Sequence, residues 1–244
     1  MNTKLTDAIK HLIIINVILF VAPQLLKLDF TNILALHFPK NEHFGIWQYV
    51  THMFMHGGFS HILFNMYGLW AFGTPLEQIW GKKKFIFFYF SAGIGAGIIY
   101  TLVNYYQFNG IYELFIDAGL NNSEVLSILK SGSTNDARVI GAISQDQFNQ
   151  ITSLYNTPAV GASGAVYGVL VAFGLYFKDA KLALIFFPVP IAAKYFIPVM
   201  ILGDLFFGMT KYSIGNIAHF AHVGGALIGF IIAWYWKKNE FKTY

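Results

Sequence analysis

Six apolar segments, separated by lysine clusters or polar stretches, dominate this sequence. A helix that crosses a bilayer needs roughly 20 mainly apolar residues, and each segment approaches or meets that length. The segments cover residues 11–28, 60–80, 85–106, 160–177, 194–210 and 215–236. Charged residues make up 11% of the chain, whereas they make up about 25% of a typical soluble domain. The sequence therefore predicts an all-α membrane protein with six transmembrane helices, folded as one domain over residues 1–244.

The positive charges predict how these helices are oriented. Cytoplasmic loops keep an excess of lysine and arginine. If both termini are cytoplasmic, 11 of the 16 basic residues lie on the inner side and 5 on the outer side. We therefore expect both termini in the cytoplasm, and we place the chain in a bacterial inner membrane. Because the lysines form short clusters and not a basic helical face, the expected partner is the lipid bilayer and not nucleic acid.

Two long segments are predicted on the outer side. Residues 27–59 mix aromatic side chains with histidine, proline and glycine, which suits an interfacial loop partly sunk in the headgroups. Residues 107–158 form the most polar stretch of the chain and contain five acidic residues. We interpret them as a polar extracytoplasmic insertion between the third and fourth spans. The runs that begin at Asn122 and Ser144 look like short, capped amphipathic helices.

Polar side chains inside the apolar segments are functional candidates, because lipid makes them costly. Ser163 and His222 each lie 15 positions before the lysine that marks the inner end of their helix. At 1.5 Å per residue, both lie about 22 Å above the inner boundary. His61 and Asn65 on the second span line the same layer or lie just above it. Four polar groups on three helices are therefore expected at one depth.

Three further polar residues in these segments are interpreted as structural. Glu77 lies near Lys82 at the inner end of the second span, where we expect it to anchor a helix end. We expect Asp204 to make a polar contact that steadies the fifth span against the second. His219 lies one turn above His222 and is interpreted as a packing or water-contacting residue.

Paired glycines predict that the fourth and sixth spans cross closely. Gly164 and Gly168 form one small-xxx-small pair, Gly225 and Gly229 form another, and such pairs let helix backbones approach. A close crossing would bring the serine and histidine within hydrogen-bonding reach, which is the geometry of an activated hydroxyl nucleophile.

The sequence around Ser163 also predicts a site that stabilises negative charge. Gly161-Ala162-Ser163-Gly164 follows Pro158 and opens a helix, so free backbone N–H groups and the positive end of the helix dipole would face a developing anion. His61 and Asn65 are spaced i, i+4 and project from one helical face as further donors.

These residues resemble the motifs of the rhomboid family of intramembrane serine proteases. The similar stretches, in the family's order, are His56 to Asn65 (HGGFSHILFN), Gly161 to Gly164 (GASG) and Ala221 to Gly225 (AHVGG), together with Gly73, Glu77 and Gly81. The resemblance covers about residues 45–235. It implies a six-helix rhomboid bundle.

The resemblance also implies roles for the site residues. Ser163 and His222 would form a catalytic dyad without a buried acid, Tyr167 would stack on His222, and His61, Asn65 and the Ser163 N–H would bind the oxyanion. His56 would support the outer loop, and the glycines that support the site would be Gly161, Gly164 and Gly225. The implied substrates are single-pass membrane proteins cut within or beside their transmembrane helix, with no cofactor and no metal.

One departure from the family pattern lies in the first outer loop. The family often has Trp-Arg there, whereas this chain has Trp47-Gln48. We expect this change to remove a charge that would anchor the loop to headgroups.

Three other functions compete with a serine protease. A metalloprotease would draw on the histidines, but the chain has no His-Glu-x-x-His motif and no acid close to them in sequence. An inactive rhomboid relative that binds membrane proteins would be expected to lose the serine or the histidine, and both are present. A transporter would be expected to show an internal repeat or paired broken helices. The chain has no cysteine, which excludes a thiol nucleophile.

Overall fold

The computed structural model describes residues 4–184, 187–210 and 218–240, and these are mainly helical. Residues His52–Phe54 form a 3₁₀ turn, and Leu69–Gly73 form a π-helical turn. The helices are α1 Asp7–Leu26, α2 Thr31–Leu34, α3 Gln48–Thr51, α4 Phe59–Gly68, α5 Thr74–Trp80, α6 Lys82–Asp117, α7 Asn122–Ser131, α8 Ala137–Ala142, α9 Gln145–Asn156, α10 Ser163–Tyr176, α11 Ala193–Met209 and α12 His219–Asn239.

Each predicted apolar segment contains helix in the structure. Within the described ranges, α1, α6 and α12 are long and apolar enough to cross a membrane. The second predicted segment is the consecutive run of α4, the π turn and α5, while α10 has 14 residues and α11 has 17. The start of the sixth segment, residues 215–217, lies outside the described residues. Three spans are thus identified by length and composition, and the six-span arrangement stays a prediction.

The all-α prediction was wrong for the connection between α10 and α11. Strands β1 Lys181–Leu184 and β2 Phe187–Ala192 pair antiparallel, with Lys181 opposite Ala192 and Leu182 opposite Ile191. Two prolines in β2 account for the difference, because proline removes a backbone donor and disrupts a helix interior. β-branched neighbours then favour extended backbone.

The packing centre of the fold is the contact of α6, α10 and α12, in which glycines replace side chains. A Cβ atom built on Gly225 would overlap the carbonyl oxygen of Gly164, and one on Gly229 would lie 2.5 Å from the Cα of Gly168. On the other face of α10, a Cβ on Gly164 would lie 2.5 Å from the Cβ of Ala96 on α6. The predicted close crossing of the fourth and sixth spans is therefore present.

Glu77 has a different role from the one that we predicted. It is buried and accepts hydrogen bonds from the backbone N–H groups of Ala8 (2.8 Å) and Ile9 (3.1 Å) and from the hydroxyl of Thr6. The first N–H groups of a helix lack partners within that helix, and a carboxylate there also complements the dipole. Glu77 therefore caps the start of α1 and fixes it against α5, instead of anchoring the end of its own helix.

The predicted insertion is helical and begins later than expected. Its first residues, 107–117, continue α6, and the chain turns at Gly119, where φ is +87°. The two predicted capped helices are present as α7 and α9, with capping boxes at Asn121 and Ser144. The insertion helices bury a small second core against the end of α6, which includes Phe108, Phe115, Val125, Leu129, Val139 and Ile151.

We expect Gly225→Ala to destabilise the protein, because the added methyl group collides with the backbone of α10 and not with a flexible side chain. Overpacking of this kind costs about 1 to 3 kcal/mol. Thermal unfolding in detergent should show a lower midpoint. Gly110→Ala is the matched control, since the same addition on α6 meets nothing within 4 Å. Equal midpoints for Gly225→Ala and the control would show that α12 can move away from α10 without cost.

Candidate active site

Ser163 is the first residue of α10, so the sequence prediction of a serine at a helix N-terminus is met. The approach to this helix depends on Gly161, which has φ of +125°. A Cβ at this position would also lie 2.7 Å from Nε2 of His61. Glycine is therefore required both for the backbone conformation and for the space beside His61.

Ser163 and His222 lie within hydrogen-bonding distance. Nε2 of His222 is 2.9 Å from Oγ of Ser163. The ring of Tyr167, one turn below Ser163, stacks on the imidazole with centroids 4.2 Å apart and planes 12° apart. The stacked ring limits rotation of the imidazole. The structure thus brings the predicted nucleophile, base and orienting tyrosine together.

Asp204 lies behind His222, contrary to two expectations. We expected it to steady α11 against the second span, and the family resemblance implied a dyad without a buried acid. Instead Oδ1 of Asp204 accepts from Nδ1 of His222 at 3.1 Å and from Nδ1 of His219 at 2.6 Å, and Oδ2 accepts from the Tyr167 hydroxyl. His219 was also underestimated, because it is buried and bonded to this carboxylate.

His61 and Asn65 lie on α4 beside the serine. Together with Ser163, Tyr167 and His222 they line a cavity of about 1500 Å³. Asn65 is buried and donates one amide hydrogen to the carbonyl of His61 at 3.0 Å, and its second amide hydrogen is available to a ligand. The two predicted oxyanion donors therefore border the same cavity as Ser163.

Two more histidines lie near the site, in the loop between α1 and α4. The ring of His56 lies 5.1 Å from that of His61. Burial and the neighbouring His61 lower the pKa of His56 to about 4, and burial lowers the pKa of His52 to about 4. Both imidazoles are therefore neutral near pH 7, so neither adds positive charge near Ser163 and His222.

The loop between α1 and α4, which was predicted on the outer side, holds the segment that precedes Ser163. The N–H of Gly161 donates to the carbonyl of His52 at 2.9 Å, and Leu36 and Ala159 exchange two backbone hydrogen bonds of 2.9 Å. Nδ1 of His52 in turn contacts the carbonyl of Gln48 at 2.7 Å. This loop therefore does more than lie at an interface, because it holds the backbone that leads into Ser163.

Gln48 is the centre of that loop and points inward. Its side chain is fully buried, its Oε1 accepts from the N–H of His37 (3.1 Å), and its Nε2 donates to the carbonyls of His43 (2.7 Å), Asn32 and Ile33 (3.3 Å each). The expectation that this position concerns headgroup anchoring was therefore wrong. A neutral amide suits the position, because it offers both a donor and an acceptor to buried backbone.

The structure also groups three side chains that could bind a metal ion. Ligand atoms of Asp204, His219 and His222 all lie within 4.8 Å of one another. The sequence argued against a metalloprotease because no acid is close to the histidines along the chain. Folding nevertheless brings Asp204 next to His219 and His222. A carboxylate with two imidazoles is a donor set that zinc uses.

Comparison with known families identifies the family of this chain. A family model described as the Rhomboid domain matches residues 43–112 and 134–239. The chain therefore belongs to the rhomboid family, and it is an integral, multi-pass membrane protein. Residues 113–133, which include α7, lie outside the match.

Curated relatives come from mitochondria and from bacteria. The chain is 28% identical over 187 residues to Rhomboid protein 1, mitochondrial, of Saccharomyces cerevisiae, covering 76% of this chain and 40% of that protein. It is 26% identical to Rhomboid protease AarA of Providencia stuartii (77% and 54% covered) and 25% identical to Rhomboid protease GluP of Bacillus subtilis (77% and 25%). The chain thus spans about half or less of these relatives. Because a mitochondrial relative matches as well as the bacterial ones, the predicted bacterial inner membrane is not supported.

We expect Gln48→Leu to loosen the outer loop, because it leaves the His37 N–H and the loop carbonyls without their buried partner. Each buried polar group left unpaired costs about 1 to 3 kcal/mol. The measurement is the thermal midpoint in detergent together with the rate of protease nicking at residues 35–50. Gln24→Leu is the control, since Gln24 makes an exposed bond within α1. The inward role of Gln48 would be refuted by identical midpoints and nicking rates in the two variants.

Proposed function

We propose that this chain is an intramembrane serine endopeptidase that cleaves single-pass membrane proteins within or near their transmembrane helix. The observation that carries the proposal is the 2.9 Å contact between His222 Nε2 and Ser163 Oγ, made at the wall of a large cavity. A serine beside an imidazole that can take its proton is the arrangement that activates a hydroxyl for acyl transfer.

The reaction follows from that contact. Oγ of Ser163 attacks the carbonyl carbon of the substrate, its proton moves to Nε2 of His222, and the carbonyl electron pair moves onto oxygen. The tetrahedral adduct then expels the amine, which takes the proton from Nε2 as the C–N bond breaks. Water repeats the sequence on the acyl-enzyme, with His222 again first base and then acid, and releases the acid product and free Ser163.

The oxyanion of this adduct would be held by the helix end and by α4. The Ser163 N–H is unpaired within its helix, as first-turn N–H groups are, and α10 directs the positive end of its dipole there. His61 and Asn65 border the same cavity. Donors already in place stabilise charge that develops only in the transition state.

The shape of the cavity supports a substrate that arrives from the membrane. Its walls include the apolar side chains of Phe64 on α4 and of Phe196, Met200 and Phe207 on α11. An apolar wall with a polar catalytic corner suits an unfolded piece of a transmembrane helix. We further propose that α1, the α4–α5 run, α6, α10, α11 and α12 form the six-helix rhomboid bundle, with both termini cytoplasmic.

Two other functions are testable against this one. A metal-dependent protease is favoured by the Asp204, His219 and His222 donor set. An inactive rhomboid that binds membrane proteins would use the same cavity without chemistry. A serine-directed probe distinguishes all three, because it requires an activated hydroxyl and no metal.

Ser163 and His222 should act as a unit, since a base without its nucleophile contributes nothing to catalysis. We expect Ser163→Ala, His222→Ala and the double variant to fall to one common background on a transmembrane substrate. Wild-type protein should react with a fluorophosphonate at Ser163 at the same rate with and without a chelator. Loss of labelling in chelator would favour the metal alternative, and no labelling of folded wild-type protein would favour the inactive one.

His61→Ala and Asn65→Ala should reduce turnover more than substrate binding, because their donors act on charge absent from the ground state. The expected loss in kcat is about 10² to 10³ for each donor that nothing replaces. Steady-state kinetics in detergent or vesicles give kcat and KM separately. A raised KM with unchanged kcat would place these residues on the substrate path and outside the oxyanion site.

A further inference from the structure

Asp204 is the one acidic residue of α11, and its neighbours offset the free-energy cost of burying its charge. It is buried, and an ionised carboxylate in lipid or protein interior is strongly unfavourable unless it is paired and hydrogen-bonded. Its two oxygens receive three donors, from Tyr167, His219 and His222. The carboxylate of α11 is therefore built into the contact with α10 and α12.

The bond to His222 determines which ring nitrogen carries the proton. An ionised carboxylate only accepts hydrogen bonds, so Nδ1 of His222 carries the hydrogen when it bonds to ionised Asp204. The lone pair of Nε2 then faces Oγ of Ser163, 2.9 Å away. This is the tautomer that can take the proton of the hydroxyl.

We propose that Asp204 is a positioning residue for His222, so that the site works as a Ser163–His222–Asp204 triad and not as a dyad. The inference rests on the proposed protease function. When the proton of Ser163 moves to Nε2, the imidazole becomes a cation and Asp204 lies beside its other nitrogen. The proton later leaves from Nε2 to the amine, and Asp204 accepts no proton at any step, as in serine proteases with an acid behind the histidine.

Two contacts around Asp204 and His222 determine how much kcat should fall when Asp204 is replaced. In serine proteases of the triad type, changing the acid to its amide lowers kcat by about 10⁴ because the tautomer is wrong. Here Tyr167 also restrains the imidazole by stacking, and Oδ1 is shared with His219. We therefore expect a smaller loss for Asp204→Asn, of about 10² to 10³ in kcat, with KM changed by less than about twofold.

The test compares Asp204→Asn and Asp204→Ala with Asp179→Asn, which removes an exposed carboxylate paired with Lys194. The readouts are the rate of fluorophosphonate labelling of Ser163, kcat and KM on a transmembrane substrate, and the thermal midpoint. Formate should restore the Asp204→Ala variant at least about tenfold by supplying a carboxylate at the vacated position, and it should restore nothing in His222→Ala. A purely structural role predicts no rescue by formate.

A second measurement does not depend on any Asp204 variant folding. Nitrogen-15 spectra of histidine-labelled wild-type protein, with the His222 signal assigned by its loss in His222→Ala, should show Nδ1 protonated and Nε2 unprotonated at neutral pH. The opposite tautomer would overturn the inference. So would a folded Asp204→Asn variant whose labelling rate and kcat equal those of the wild-type protein. If wild-type protein itself is not labelled, the proposed protease function fails. Equal labelling rates for the wild-type protein and Asp204→Asn would refute the positioning role of Asp204 and leave the proposed protease function intact.

Discussion

The backbone contact between α10 and α12 is the constraint on which the rest of the structure depends. At Gly164 and Gly225 the helices approach so closely that a methyl group has no room, and Gly168 with Gly229 repeats the contact further down. Lipid gives no hydrophobic drive for helix association, so packing and hydrogen bonds must hold the pair together. The same contact sets the separation of Ser163, at the top of α10, from the histidine on α12.

The two buried carboxylates of the described residues, Asp204 and Glu77, are tolerated in this apolar setting because each accepts several hydrogen bonds. The charge on Asp204 is met by two imidazoles and a phenol, and Glu77 on the far side of the domain is met by the first N–H groups of α1. In both places a carboxylate joins helices that are distant in sequence. Removing one member of such a set leaves the others unpaired, which is why buried networks are costly to disturb.

The sequence was sufficient for properties that follow from helix geometry. A fixed rise per residue placed Ser163 and His222 at one level, and glycine spacing predicted their close crossing; both agree with the structure. What it could not provide was the direction in which a lone polar side chain points. Glu77, Asp204 and Gln48 each have buried partners that the sequence did not indicate, because those partners depend on helix rotation and on the paths of the loops. The family match supports the fold class, while the roles of the site residues stay proposals.

The glycine crossing has a consequence for how the protein responds to its membrane. Bilayers differ in thickness by several ångströms, and helices adjust by tilting. Because α10 and α12 touch through backbone atoms, they have no side-chain layer on which to slide, so a tilt imposed on one is transmitted to the other. We therefore expect the distance between Ser163 and His222 to change little with the thickness of the surrounding lipid, because the two helices that carry them tilt together.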